Sequence, residues 1–150
     1  MNINITNRAT SEFLDWLTVH GANVIFVPFG YGSTPERFFD NDLIVAKELR
    51  ENMKNANRLS VIDVEYKPEE ILSVFRFFDI LIGMRSHPII FSIMMGVPTI
   101  AIIYDSKNRR VTETGKTRNC FRISTSDLNI DTLKIIASIA PKFLSPKGGR

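Results

Sequence analysis

Residues 79–107 read DILIGMRSHPIIFSIMMGVPTIAIIYDSK, and the fold turns on how this stretch divides. Ile80–Gly83 is a short apolar run that ends on glycine. Ser86 to Met95 has the length and composition of a short helix, stopped by Gly96 and Pro98. Thr99–Tyr104 is a second apolar run. In both runs the apolar residues are consecutive instead of alternating, as expected of strands covered on both faces of a parallel sheet. Strand, helix and strand in this order form a βαβ unit.

The same alternation extends in both directions along the chain. Asn2–Thr6 is a β-branched stretch and reads as a first strand. Thr10 or Ser11 can cap a helix to about His20, with Phe13, Leu14, Trp16 and Leu17 on its apolar face and Gly21 at its end. Val24–Phe29 is a strand, and Gly30, Gly32 and Pro35 make a loop. Asn41 or Asp42 opens a helix to about Met53, and Leu59–Asp63 is a third strand. Pro68, Glu69 and Glu70 begin a helix to about Phe77, the acids being well placed for its dipole. Beyond residue 107, a polar helix to about Lys116, a sixth strand at Cys120–Ile123 and a helix from Asp127 to Ala140 complete the pattern. Six strands separated by helices predict an α/β fold: a doubly wound, parallel, six-stranded, Rossmann-like sheet in the order 3-2-1-4-5-6, with helices on both faces. Residues 1–140 read as a single domain, and residues 141–150, ending SPKGGR, as a flexible tail.

Composition narrows the function. Hydrophobic residues make up 44% and charged residues 23% of the 150, which is ordinary for a globular domain. No apolar run is long enough to span a bilayer, and MNINITNRAT does not have the form of a signal peptide, so a cytoplasmic location is expected. A single cysteine, Cys120, leaves no intrachain disulfide and no cysteine-based metal framework. Between Asp105 and Arg122 six basic residues (Lys107, Arg109, Arg110, Lys116, Arg118, Arg122) stand against Asp105 and Glu113. That run either attracts an anion or is a solvated helix face. No recognised nucleic-acid motif accompanies it, and nucleic acid is not expected as a partner. Gly30-Tyr31-Gly32-Ser33 is not a complete dinucleotide fingerprint, and it reads as a turn.

Ligands of an open parallel sheet bind beyond the carboxyl ends of its strands. The proposed order puts Asn7 and Arg8, after the first strand, across a crevice from Met84, Arg85, Ser86 and His87, after the fourth. Arg85 and His87 lie between two apolar elements, and a guanidinium in such a setting needs an anionic partner. Free amides at the start of the next helix point to the same place. The partner is either a bound phosphate or carboxylate, or a structural acid such as Asp79 or Asp105, with His87 then only a helix cap. At the end of the next strand, Lys107 is placed to contact a phosphate. Asp105 can orient His87, hold a sugar hydroxyl, or cap the following helix.

Residues 79–107 resemble the signature of the polysaccharide pyruvyl transferase family: an acid, an apolar run, I-G-x-R-L-H-A, a helix, G-V-P, a strand, and Y-D-x-K. Val27–Phe29 and Ile5–Arg8 are similar more loosely, so the resemblance spans about Ile3 to Ile123. It implies a fold like the carboxy-terminal half of a two-domain, glycosyltransferase B-like enzyme. It implies transfer of a pyruvyl group from phosphoenolpyruvate to a cell-surface glycan, leaving a ketal and phosphate, with no further cofactor and no metal. It also implies roles for particular residues: Arg85 as a phosphoenolpyruvate ligand, His87 as the catalytic residue, Arg8 as a second anion-binding arginine, and Tyr104, Asp105 and Lys107 as the closing motif beside Ser86. Two positions depart from the signature, Ser86 for Leu and Pro88 for a small residue. The family's amino-terminal, acceptor-binding domain is not expected within these 150 residues, so a partner domain or a homo-oligomer is implied. The competing readings are a nucleotide-sugar-binding glycosyltransferase domain and a non-catalytic binding or assembly module.

Overall fold

The computed structural model describes residues 3–32, 41–113 and 119–139, and side chains within 7–32, 41–113 and 119–138. The chain divides into two compact units, one spanning Asn2–Tyr66 and the other Lys67–Arg150.

In the first unit the amino-terminal stretch corrects the sequence reading. Ile3–Val19 is one continuous helix, α1, so Ile3–Thr6 of the expected Asn2–Thr6 strand is helical, and Asn2 lies outside the described residues. The β-branched residues there carry a strand preference, but that preference is realised only against a pairing neighbour. No glycine or proline interrupts the chain from Asn2 to His20. The helix specified by Phe13, Leu14 and Leu17 therefore propagates back through Arg8 at little cost. Those three residues are buried, and α1 packs on α2 (Asp42–Asn52), which contributes Ala46 and Leu49. Gly21 ends α1 at φ +90°, and the His20 ring nitrogen Nδ1 lies 2.7 Å from the Trp16 carbonyl. Strands β1 (Val24–Phe26) and β2 (Leu59–Val61) pair in parallel, Val24 opposite Leu59 and Phe26 opposite Val61. Asn41 caps α2 by accepting from the Leu43 amide. Asp42 accepts from the amides of Phe29 at 2.8 Å and Gly30 at 3.0 Å, which fixes the turn after β1. The Asp42 carboxylate thus holds the chain at Gly30, and Tyr31 forms an isolated antiparallel bridge with Asn41. Ser33 and Pro35 lie outside the described residues.

The second unit contains α3 (Pro68–Phe75), β3 (Leu81–Gly83), α4 (Ser86–Met94), β4 (Thr99–Ile103), α5 (Ser106–Glu113), β5 (Cys120–Ser124) and α6 (Ile130–Ile139). The Glu70 carboxylate accepts from the Lys67 amide at 2.8 Å and closes the start of α3. The sheet order is β3-β4-β5, all parallel. Every residue of β4 is buried, as its uninterrupted apolar sequence implied. One of its faces presents Ala101 and Ile103 to Ile89 of α4, with Ile93, Val111 and Cys120 packed around them. Phe75 of α3 meets Phe91 of α4 edge to face, with ring centroids 5.9 Å apart. One polar contact sits within this interior. The buried Ser92 Oγ lies 2.7 Å from the buried Thr99 Oγ1, and each is also 2.9 Å from a main-chain carbonyl, of Ile89 and Val97 respectively.

The α/β class and parallel pairing follow the sequence reading, with strand and helix bounds displaced by a few residues. A six-stranded sheet does not form among the described residues. Five strands make one two-stranded and one three-stranded parallel sheet, so the order 3-2-1-4-5-6 is not observed. That order needed a strand at residues 2–6, and residues 3–6 are helical. Lys116, Ala140 and the tail from Pro141 lie outside the described residues.

A candidate anion-binding site at the ends of β3 and β4

Three consecutive parallel strands joined by right-handed crossovers carry their connecting helices on one face. Accordingly α4 and α5 pack side by side. Each begins where its strand ends, so their amino termini sit next to each other at the carboxyl edge of β3 and β4. Helix amino termini offer unsatisfied N–H groups and a positive partial charge, and two of them meet here.

The first loop carries Arg85, Ser86 and His87. Arg85 is the residue capping α4, in an extended conformation with φ −85° and ψ 148°, and its side chain does not cap the helix amides. Ser86 and His87 follow as the first two helical residues. Pro88, with no N–H to leave unsatisfied, occupies the third position and is buried. Arg85 and Ser86 are half-buried and His87 is exposed. Gly83, just before the loop, allows the close approach of α4. A Cβ there would lie 3.2 Å from Cγ1 of Ile89 and 3.2 Å from Cδ2 of Leu81.

The second loop carries Tyr104, Asp105 and Lys107, all exposed. Asp105 takes the capping role that was one of its three readings: its Oδ1 accepts from the Asn108 amide at 2.7 Å. Tyr104 and Lys107 make no hydrogen bond or ion pair to the described residues, nor does the His87 ring.

The two loops are joined by Asn108, a residue the sequence reading passed over. Its side chain is 1% exposed. Its amide nitrogen donates to the Met84 carbonyl, and its Oδ1 accepts from Ser86 Oγ at 2.5 Å. Its own main-chain N–H is held by Asp105, and its carbonyl accepts from Thr112 Oγ1 at 3.3 Å. Ser86 and Asp105 are therefore both tied to one residue, Ser86 through the Asn108 side chain and Asp105 through its main-chain N–H. The signal available in the sequence was an amide three residues after a capping acid, in a helix whose other residues, apart from Val111, are charged or hydroxylic.

Arg8 is placed differently from the expectation. It lies within α1, exposed, with Nε 3.2 Å from Glu12 Oε1, a helical i to i+4 pair. It does not sit on a strand-end loop, because the strand that would have carried it is helical. Among the described residues no group of three or more His, Cys, Asp or Glu is arranged to hold a metal ion. None of the described helices is long and apolar enough to cross a membrane.

The neighbouring ends of β3 and β4 in this α/β domain thus carry an arginine, a histidine, a lysine and two helix amino termini, at the sheet edge where open parallel sheets take their ligands. Comparison with family models then identifies the line of descent. The model for polysaccharide pyruvyl transferase matches residues 3–106, more than half of the chain, and the chain belongs to that family. No curated protein and no solved structure matches it. The family match takes in the β3–α4 loop and ends at Ser106, one residue before Lys107.

Proposed function

We propose that the loop between β3 and α4 binds the dianionic end of phosphoenolpyruvate, and that the chain serves as the donor-binding part of a polysaccharide pyruvyl transferase acting on a glycan. The observation that carries this reading is the placement of Arg85 at the uncapped amino terminus of α4, in the segment matched by the family model. A guanidinium offers a planar fork for carboxylate or phosphate, and the amides of Ser86 and His87 add donors along the helix axis. Lys107, in the first turn of α5, supplies a second cation at the same sheet edge.

His87 is the proton-transfer residue in this scheme. It is exposed, and an imidazole can both give and take a proton near neutrality. Protonation of the methylene carbon of phosphoenolpyruvate places positive charge on the central carbon. A sugar hydroxyl adds there, phosphate leaves, and a second hydroxyl of the same sugar closes the ketal. The cationic groups around the phosphate favour its departure.

Calorimetric titration of phosphoenolpyruvate into the chain tests this. The parent should bind, and Arg85→Ala should weaken binding by about tenfold to a hundredfold, the range for a lost hydrogen bond to a charged group. His87→Ala should bind within a few-fold of the parent, and with a glycan acceptor and any completing domain supplied it should turn over at least about a hundredfold more slowly. Equal affinity in Arg85→Ala, or thermal stabilisation by a nucleotide-sugar but not by phosphoenolpyruvate, overturns the assignment.

A further inference from the structure

We propose that Asn108 is the positioning residue of the Arg85–His87 loop, holding it in its anion-binding form through its side-chain amide; the inference rests on the phosphoenolpyruvate reading above. Three facts carry it. Asn108 is buried, so its side-chain hydrogen bonds are not exchanged with water. It bonds to residues on both sides of Arg85, the Met84 carbonyl before it and the Ser86 hydroxyl after it. And its backbone is fixed in turn by the Asp105 cap and by Thr112, so it transmits the position of α5 to the start of α4.

The orientation of the amide is dictated by chemistry. A carbonyl can only accept, so the group facing Met84 has to be the NH2. The oxygen then faces Ser86, whose hydroxyl can donate. Asparagine fits this place and aspartate does not. A carboxylate would set an unprotonated oxygen against the Met84 carbonyl, in a site too dry to screen the repulsion, and the loop would move. Once protonated, the same carboxyl regains an O–H donor towards Met84.

Asn108→Asp therefore makes the loop pH-sensitive. The experiment compares phosphoenolpyruvate affinity of parent and variant at a series of pH values and reads their ratio, which cancels the titration of the ligand. At neutral pH the variant should bind about tenfold more weakly. As the pH falls and the new carboxyl protonates, the ratio should return towards one. A variant that binds like the parent at every pH overturns the proposal, and so does a deficit that does not change with pH, since that is the mark of a general structural loss. If the parent does not bind phosphoenolpyruvate, the functional reading fails by itself. The positioning role is then decided without ligand, by the amide resonances of Arg85, Ser86 and His87. In the variant these should shift at neutral pH and return towards their parental positions in acid, and resonances that stay unmoved would rule the role out. Should Asn108→Asp not fold, Asn108→Ala combined with Arg85→Ala gives the answer. Losses that overlap support action through the loop, and losses that simply add reject it.

Discussion

At the residue scale the site is a matter of which groups are already engaged. Asp105 illustrates this. Its carboxylate is used by the Asn108 amide, so an acid beside the proposed anion site is tied to a helix terminus. That role was legible from sequence, because an acid followed by a polar helix is a capping pattern. The role of Asn108 was not, because it depends on which loop lies opposite. Cys120 is a second example of context setting chemistry. It is half-buried in β5, and burial raises its thiol above the ordinary value of 9.0, while Arg122 pulls weakly the other way. The folded thiol thus holds its proton more tightly than the unfolded one. Its contribution to stability is full below the unfolded value and is lost as the pH rises above it. Alkylation by iodoacetamide at pH 8 should therefore be slower in the folded chain than in urea, and Cys120→Ser should flatten any fall in stability above pH 9. Equal alkylation rates would contradict the burial argument.

At the scale of elements, two glycines flank α4 and constrain it for different reasons. Gly96 follows it at φ +69° with open space where a Cβ would stand, so only its backbone conformation requires glycine. Gly83 precedes it with ordinary dihedrals, and a Cβ there would press on Ile89, a fully buried residue backed by Ala101 and Ile103. Gly96→Ala should cost about 1–2 kcal/mol of stability and leave ligand affinity alone. Gly83→Ala should cost about 1–3 kcal/mol and also weaken phosphoenolpyruvate binding, because the displaced helix carries Arg85 and His87. Thermal denaturation and calorimetry on the two variants separate these effects, and an unchanged affinity in Gly83→Ala would show that α4 absorbs the strain without moving its first turn. The elements themselves were readable wherever punctuation was strong: Asn41 before α2, Pro68 at α3, and Gly96 and Pro98 between α4 and β4. The reading failed at residues 2–10. There β-branched residues suggested a strand, but no glycine or proline separated them from the helix that follows, and Arg8 was carried to the wrong kind of element.

On the scale of the whole molecule, each unit stands on its own parallel sheet, and the two sheets are unequal. The two-stranded sheet of residues 2–66 pairs three residues on each strand, and the middle residue of β1, Ile25, is 46% exposed. In the other unit β4 is flanked on both sides and buried along its whole length. Protection should follow burial. In hydrogen–deuterium exchange read by mass spectrometry, peptides covering Thr99–Ile103 should exchange at least about a hundredfold more slowly than those covering Val24–Phe26, a difference of about 3 kcal/mol in opening free energy. Similar rates would mean that the three-stranded sheet opens as readily as the smaller one. The parallel character of both sheets was legible from apolar runs. Their partition was not, since which strands share a sheet depends on pairings that leave no local trace in sequence. The hydroxyl pair of Ser92 and Thr99 bears on the same question of how one arrangement is selected. Two protons serve three close oxygen contacts, so the pair can alternate between two bonding patterns without any atom leaving its place. A hydrocarbon interior tolerates sliding, but this one carries a key: were α4 to slip along β4 by a turn, the two hydroxyls would lose each other and keep only the carbonyls of their own segments, and the register that delivers the helix's first turn to the strand end is the one that lets them meet.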